Sequence, residues 1–150
     1  MQEPRKYEGR IEACGQSWDE VPKGTGRAFF INRNGFNTSD GGLEMASDLA
    51  FLDDGNVKMV GFAEPNVDWT CPGMRRKTSN WIKRAWRHSG LVTSSSGIPS
   101  SRGYQVGGTA MIVNGRWTAR ATCKYVDPIG RWTAITITGK DRKGGKCGVD

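Results

Sequence analysis

The residue most suited to bind a metal or take part in a reaction is Glu64, a carboxylate at the end of a mostly apolar run. Residues 57–64 read Val-Lys-Met-Val-Gly-Phe-Ala-Glu and are followed at once by Pro65. Such a run predicts a strand buried on both faces, and the proline excludes its continuation as a central strand. A charged acid in this position is costly unless it has a partner. A hard divalent cation is one such partner, while an arginine or water is the alternative that the run leaves open.

Two asparagines follow an earlier apolar segment. Residues 28–32, Ala-Phe-Phe-Ile-Asn, predict the first strand, and Asn34-Gly35 predicts a turn because both residues tolerate positive φ. The end of the strand therefore displays Asn32 and Asn34, alternate residues on one face. Their amide oxygens are candidate metal ligands.

A helix is expected to connect these two strands. Asp40 is a suitable N-cap for a helix over about residues 42–53. Strand, helix and strand then form a βαβ-like or split unit. Open α/β sheets bind ligands at the carboxyl ends of their strands, so Asn32 and Glu64 are predicted to share one such edge.

The strongest helical periodicity covers residues 74–88. One face holds the apolar and small residues Met74, Thr78, Trp81, Ile82 and Ala85, and the opposite side holds Arg76, Lys77, Lys83, Arg84 and Arg87. A basic face of this kind either contacts the phosphates of a nucleic acid or is simply solvated. His88, the single histidine, is predicted to cap the helix C-terminus rather than act as a base.

The rest of the chain predicts β-structure. A short strand over residues 90–96 and a loop over 97–103 precede an antiparallel meander over 108–138. Asn114-Gly115 is a strong hairpin signal. The alternation of residues 116–125 then places three basic residues in one row on a strand: Arg116, Arg120 and Lys124.

Composition narrows the class of protein and of partner. The chain has 150 residues and a net charge of +7, which fits one domain with a real core. Residues 1–70 carry 7 Lys/Arg and 12 Asp/Glu, a balance of −5, so residues 71–150 carry 15 and 3, a balance of +12. This basic half predicts a polyanionic partner, a nucleic acid and in particular DNA, and gives no reason to expect a membrane.

The termini and cysteines indicate an intracellular protein, cytoplasmic or nuclear. No run approaches the roughly 20 apolar residues of a membrane span, and the polar N-terminus does not resemble a signal peptide. Residues 1–27 are predicted to be an irregular leader before a domain over 28–150. The four scattered cysteines form no Cys-x-x-Cys pair and are interpreted as free thiols.

These segments together resemble the endonuclease/exonuclease/phosphatase superfamily. The resemblance runs over about residues 28–140 and rests on Ile31-Asn32-Arg33-Asn34-Gly35, a helix, Phe62-Ala63-Glu64, a Gly-Thr-Ala strand and a meander with a Gly-Arg-Trp turn. It is strongest for the retrotransposon-endonuclease-like branch. The resemblance implies an α/β (α+β) fold, a four-layer α/β sandwich, here incomplete and ending in the antiparallel meander.

The resemblance also implies a chemistry, the hydrolysis of phosphodiesters or phosphomonoesters with Mg²⁺ or Mn²⁺ as the cofactor. Glu64 matches the metal-binding Glu, and Asn32 matches the asparagine near the metal and scissile phosphate. Asn34 falls where other branches place an Asp close to the metal. The family's later Tyr strand, Asp-x-Asn pair and Asp-His pair have no counterpart here, so the chain is expected to be an N-terminal portion that is inactive as given.

Three functions follow as expectations. The first is a Mg²⁺-dependent phosphodiesterase or endonuclease-like domain acting on nucleic acid, with Asn32 and Glu64 as catalytic residues and Glu64 and Asn34 as metal ligands. The second is a nucleic-acid-binding module without catalysis. Its contacts would be Arg76, Lys83, Arg84, Arg87, Arg116, Arg120 and Lys124. The third is a phosphatase-branch hydrolase acting on an acidic small molecule or lipid headgroup.

Overall fold

The computed structural model describes residues 21–95, 104–140 and 146–147. Within these residues the fold is mixed α/β. Residues 1–20 of the predicted leader, which spans residues 1–27, lie outside the described residues. The loop predicted for residues 97–103 lies wholly outside them. None of the helices among the described residues is long and apolar enough to cross a membrane.

The largest element is a four-stranded mixed sheet with two helices. Its parts in chain order are β1 (Arg27–Asn32), α1 (Leu43–Asp54), β2 (Val57–Ala63), α2 (Pro72–Ala85), β3 (Ser89–Ser94) and β4 (Thr109–Asn114). The strand order is β1-β2-β4-β3; β1 and β2 are parallel, and the other two pairs are antiparallel. Sequence patterning therefore predicted β1, α1 and β2 to within about a residue.

One face of this sheet packs against the helices and forms the core. Strand residues such as Val60, Phe62 and Ile112 alternate inward from the sheet, and Leu49, Ile82 and Trp86 come from α1 and from the region of α2. The indole Nε1 of Trp86 donates to the carbonyl of Leu49 at 2.9 Å, so the buried ring is also hydrogen-bonded. Apolar burial on this side positions both parallel strands.

A hairpin covers half of the opposite face. Its strands are β5 (Ala121–Val126) and β6 (Thr133–Ile137), which pair antiparallel and pack on β3 and β4. Val92 and Val113 are buried beneath it, and Ser94 donates its hydroxyl to the carbonyl of Asp127. The β1–β2 half of the face stays open, as the 70% exposure of Phe30 on β1 shows.

The start of α1 depends on an aspartate and a glycine. The N-cap residue of α1 is Gly42 rather than the predicted Asp40, although the Asp40 carboxylate accepts hydrogen bonds from the backbone of Gly42 at 2.7 Å and of Glu44 at 2.8 Å. The same two hydrogen bonds, that of Glu44 first, lower the pKa of Asp40 from its usual range. Gly42 occupies the left-handed region at φ 82°, and a Cβ there would lie 2.1 Å from the Trp81 ring.

The predicted three-stranded meander is wrong at its first turn. β4 pairs with β2 and β3 rather than with β5, and residues Gly115–Arg120 form a 3₁₀ helix. Asn114 has φ −110°, whereas a two-residue type I′ hairpin needs positive φ at both positions. Thr118 holds the helix in place because its hydroxyl donates towards the carbonyls of His88 and Val113. Tertiary contacts thus override the Asn-Gly signal.

The predicted role of His88 is also wrong. α2 ends at Ala85, and Trp86 closes it with a backbone hydrogen bond to Ile82 at 2.8 Å. His88 lies beyond the helix, next to the first residue of β3, where its carbonyl accepts a hydrogen bond from the backbone of Gly115 at 2.7 Å. The chain leaves the helix early because Trp86 is drawn into the core.

The chain continues past β6 into a two-stranded ribbon, β7 (Gly139–Lys140) and β8 (Lys146–Cys147). Cys71, before α2, is a free thiol as expected. The side chains of the other three cysteines lie outside the described residues, so their predicted state stays a prediction.

Candidate functional site

The carboxyl ends of β1 and β2 lie side by side, as the βαβ-like pattern predicts. Asn32 pairs with Ala63, the residue before Glu64. Pairing continues beyond the strands, because the backbone of Arg33 donates to Ala63 at 3.1 Å and that of Gly35 to Glu64 at 2.7 Å. The structure therefore brings both predicted catalytic residues to one edge of the sheet. That their side-chain oxygens converge stays a prediction.

Glu64 has an unusual backbone conformation. It lies in the left-handed region at φ 52°, where a non-glycine residue costs roughly 1–2 kcal/mol. The position before a proline normally favours extended backbone instead. Hydrogen bonds from Glu64 to Gly108 at 3.1 Å and from Gly35 to Glu64 hold this conformation. The side chain is exposed, so the strained backbone carries a carboxylate that a ligand can reach, an arrangement common at functional sites.

A second strained residue supports the same edge. Asn66 has φ 55°, and its side-chain oxygen accepts from the backbone of Gly107 at 2.7 Å. Its backbone also donates to the carbonyl of Gly107 at 3.1 Å. Asn66 thereby ties the segment after Glu64 to the residues before β4. The sequence reasoning missed it, although an asparagine is the residue that best tolerates positive φ after glycine.

The two predicted asparagines form a tight turn. The side-chain oxygen of Asn32 accepts from the backbone of Asn34 at 3.0 Å, and Asn34 has φ 49°. Both side chains are exposed. Since that oxygen of Asn32 is used within the turn, a ligand would meet its amide nitrogen as a donor.

Metal binding has limited support from this geometry. No group of three or more His, Cys, Asp or Glu residues among those described could hold a metal ion. Mg²⁺, however, commonly uses one or two carboxylates and completes its octahedron with water and substrate phosphates. Glu64 offers one exposed carboxylate, and Asn34 precedes Gly35, whose backbone donates to the carbonyl of Glu64. That Glu64 and Asn34 bind a metal together stays a prediction.

An ion cluster fixes the turn to α1 and was not anticipated. Arg33 pairs with Glu44 and, at 3.0 Å, with Asp48, two acids that the sequence places on a polar strip of the helix. Burial raises the pKa of Asp48 above its usual range, and the charge of Arg33 opposes this increase. Arg33, which lies between the two candidate asparagines, thus anchors their turn to α1.

The predicted nucleic-acid contacts divide into two surfaces. Arg76, Lys83, Arg84 and Arg87 are exposed on or just after α2, on the helical side of the sheet. Arg84 also donates to the carbonyl of Gly41 at 2.7 Å. The helix therefore presents the basic face that its periodicity predicts.

The predicted row of Arg116, Arg120 and Lys124 is wrong. The two arginines belong to the 3₁₀ helix, where their guanidinium carbons lie 6.0 and 5.2 Å from the centroid of the Trp117 ring. Lys124 is exposed on β5. A cation–π pair near the surface contributes roughly 0.5–1 kcal/mol, so the arginines are partly committed to packing.

A cleft that sequence reasoning missed opens beside Asn32. It has a volume of about 370 Å³ and lies between the uncovered half of the main sheet and the start of β6. Phe30, Asn32 and Gly61 line it from the sheet, and Arg131 and Trp132 from the other side. Two adjacent phenylalanines in β1 could have indicated it, because strand alternation must turn one of them away from the helices.

Arg131 is held at this cleft by Asp127. Its Nε donates to the Asp127 carboxylate at 2.8 Å, and its backbone donates to the same oxygen at 2.9 Å. The side-chain hydrogen bond from Arg131 is the main cause that lowers the pKa of Asp127, and the same bond raises the pKa of Arg131.

Asp127→Asn should therefore destabilise the fold only where the carboxylate is charged. Because the pKa of Asp127 is lower in the folded chain, its stabilising effect is present above the ordinary aspartate pKa of about 3.9 and disappears as the pH falls through the lowered value. Melting temperatures of parent and variant should differ at neutral pH and converge in acid. A difference that is constant with pH would contradict this assignment.

No protein-family model and no curated protein sequence matches the chain. The description that the structure itself supports, over the residues it describes, is a mixed α/β fold with one four-stranded mixed sheet and two two-stranded antiparallel sheets. Any activity must accordingly be argued from the edge formed by β1 and β2.

Proposed function

We propose that the carboxyl ends of β1 and β2 form the metal- and phosphate-binding part of a Mg²⁺-dependent phosphodiesterase or endonuclease-like site that acts on nucleic acid. The proposal rests on the position of Asn32, which pairs with Ala63 and so lies beside Glu64. Glu64 is exposed, and hydrogen bonds with Gly35 and Gly108 hold its strained backbone. Strain of this kind at a polar strand end is typical of functional sites.

The layering supports the corresponding fold proposal. Helices cover one face of the main sheet, and the β5–β6 hairpin begins a second layer of sheet on the other face. A four-layer α/β sandwich of the endonuclease/exonuclease/phosphatase type has this order of layers. We propose that the chain represents a portion of such a domain.

The chemistry of the three matched residues suggests binding without turnover. Glu64 would supply the one carboxylate of a Mg²⁺ site, and Mg²⁺ would neutralise charge on a bound phosphate. Asn32 would donate its amide to a phosphate oxygen. Hydrolysis also needs a group that orients and deprotonates water, and neither asparagine can accept that proton.

A plasmid-nicking assay in Mg²⁺ or Mn²⁺ tests this expectation. The parent chain and Glu64→Gln should both leave supercoiled plasmid intact. Asp54→Asn is the matched control, because it also removes one negative charge. Asp54 lies just before β2 and Glu64 just after it. Since β2 has 7 residues, the two are about 20 Å apart. Nicking by the parent and by Asp54→Asn that vanishes in Glu64→Gln would show that the catalytic set is complete.

A non-catalytic nucleic-acid-binding module is the second candidate. The exposed basic residues of α2 favour it, because a row of cations releases counterions from a phosphate backbone whether or not a metal is present. The two candidates differ in their dependence on Glu64. A purely electrostatic module should bind DNA equally well with Gln at this position in the presence of Mg²⁺.

A further inference from the structure

The cleft beside Asn32 combines exposed aromatic rings with polar groups. Phe30 is 70% exposed and Trp132 is 48% exposed, one on each side of the opening. A Cβ at Gly61 would lie 2.5 Å from the Phe30 ring, so this ring packs directly over the glycine backbone. Two partly exposed rings at one cleft offer an apolar surface that a flat aromatic group can cover.

The polar groups at the cleft narrow the chemistry of its occupant. Asn32 offers an amide donor at the end next to Glu64, and Arg131 is an exposed cation that Asp127 holds in position. Thr133 also lines the cleft. An entirely apolar partner would leave these groups without partners, whereas a nucleotide offers a flat ring together with oxygen acceptors.

Size and charge agree with one nucleotide. Small-molecule sites start at about 300 Å³, and the cleft has about 370 Å³. Arg131 is an exposed cation in the lining, so a phosphate group is attracted to this cleft. The bases of a duplex are stacked on each other, so only an unpaired base can enter.

We propose that this cleft binds an unpaired nucleobase of a single-stranded nucleic acid, stacked against Phe30 and Trp132. The neighbouring phosphate then lies towards Asn32 and Glu64. This inference deepens the proposed function by naming single-stranded nucleic acid as the substrate class. The placement of the phosphate near Asn32 and Glu64 rests on the proposed function. Stacking on aromatic side chains tolerates any base sequence.

The test compares two probes with equal phosphate charge. A short thymidine oligonucleotide and an abasic oligonucleotide of the same length are titrated at low salt, with Trp fluorescence and anisotropy as readouts. The parent should bind the thymidine probe about 5- to 100-fold more tightly, as expected for one stacked base. Trp132→Ala and Phe30→Leu should lose this preference and bind the abasic probe unchanged.

Two variants serve as controls. Phe51→Ala removes a phenylalanine that is 65% exposed on α1, on the other side of the sheet, and should retain the preference. Phe30→Leu keeps apolar volume over Gly61, so the fold survives while the ring is lost; thermal melts of every variant verify this. Equal affinity of the parent for both probes would overturn the proposal.

Other outcomes separate this inference from its alternatives. A parent dimer in light scattering that Trp132→Ala converts to monomer would show that a second copy covers the rings, which overturns the proposal. Glu64→Gln should retain the base preference, because Glu64 is not part of the cleft lining. A parent chain that binds no metal but keeps the base preference would refute only the proposed function; a parent chain that binds metal but shows no base preference would refute only this inference.

Discussion

Gly42→Ala should lower the free energy of unfolding by roughly 2–5 kcal/mol, the largest stability effect that we expect for a single substitution. Left-handed backbone costs about 1–2 kcal/mol for alanine, and overpacking a core adds about 1–3 kcal/mol. Gly42 has φ 82°, and the added methyl would lie 2.1 Å from the ring of Trp81, which is only 6% exposed and cannot swing aside.

Gly41→Ala is the matched control for this prediction. The neighbouring glycine also has positive φ, 69°, but a Cβ there would meet nothing within 4 Å. It should lose only the backbone contribution. Denaturant titration measures the free energy of unfolding of both variants. Equal decreases would show that a methyl group at position 42 does not clash with the Trp81 ring.

Removal of four charges from α2 should produce the largest effect on binding. The variant R76Q/K83Q/R84Q/R87Q is expected to reduce the slope of log affinity against log salt by about three, since each lost phosphate contact contributes about 0.7–0.9. All four side chains are exposed. Affinity for a labelled DNA, measured by anisotropy over a range of salt concentrations, reports this slope.

The control for the basic helix is Lys23→Gln, which removes one exposed charge outside α2. Its slope should match that of the parent within about one unit, the contribution of a single contact. If the fourfold variant also keeps the parent slope, α2 is a solvated face, and the cations that bind phosphate must lie elsewhere.

The local part of this fold was predictable from the sequence. Asp40 marked the start of α1 because a carboxylate satisfies orphan backbone donors at a helix N-terminus. The apolar run before Glu64 marked β2, and the proline marked its end. Adjacent carboxyl ends followed from the strand-helix-strand order, since parallel strands need a crossover between them.

The parts that were missed depend on long-range contacts. Thr118 and His88 stabilise the 3₁₀ helix where Asn114-Gly115 predicts a hairpin, and no local pattern contains that interaction. The left-handed conformation of Glu64 depends on hydrogen bonds to Gly35 and Gly108, which are distant in sequence. Pairing of Arg33 with acids of α1 likewise requires the folded arrangement.

The location of a bound metal ion tests the central claim most directly. In a titration of the isotope-labelled chain with paramagnetic Mn²⁺, amide signals of residues 32–36 and of residues 63, 64 and 66 should broaden first and weakly, because one protein carboxylate serves the site. Asp54→Asn should leave this broadening unchanged, and Glu64→Gln should abolish it. Broadening that persists in Glu64→Gln, or that begins elsewhere in the chain, would contradict a metal site at the carboxyl ends of β1 and β2.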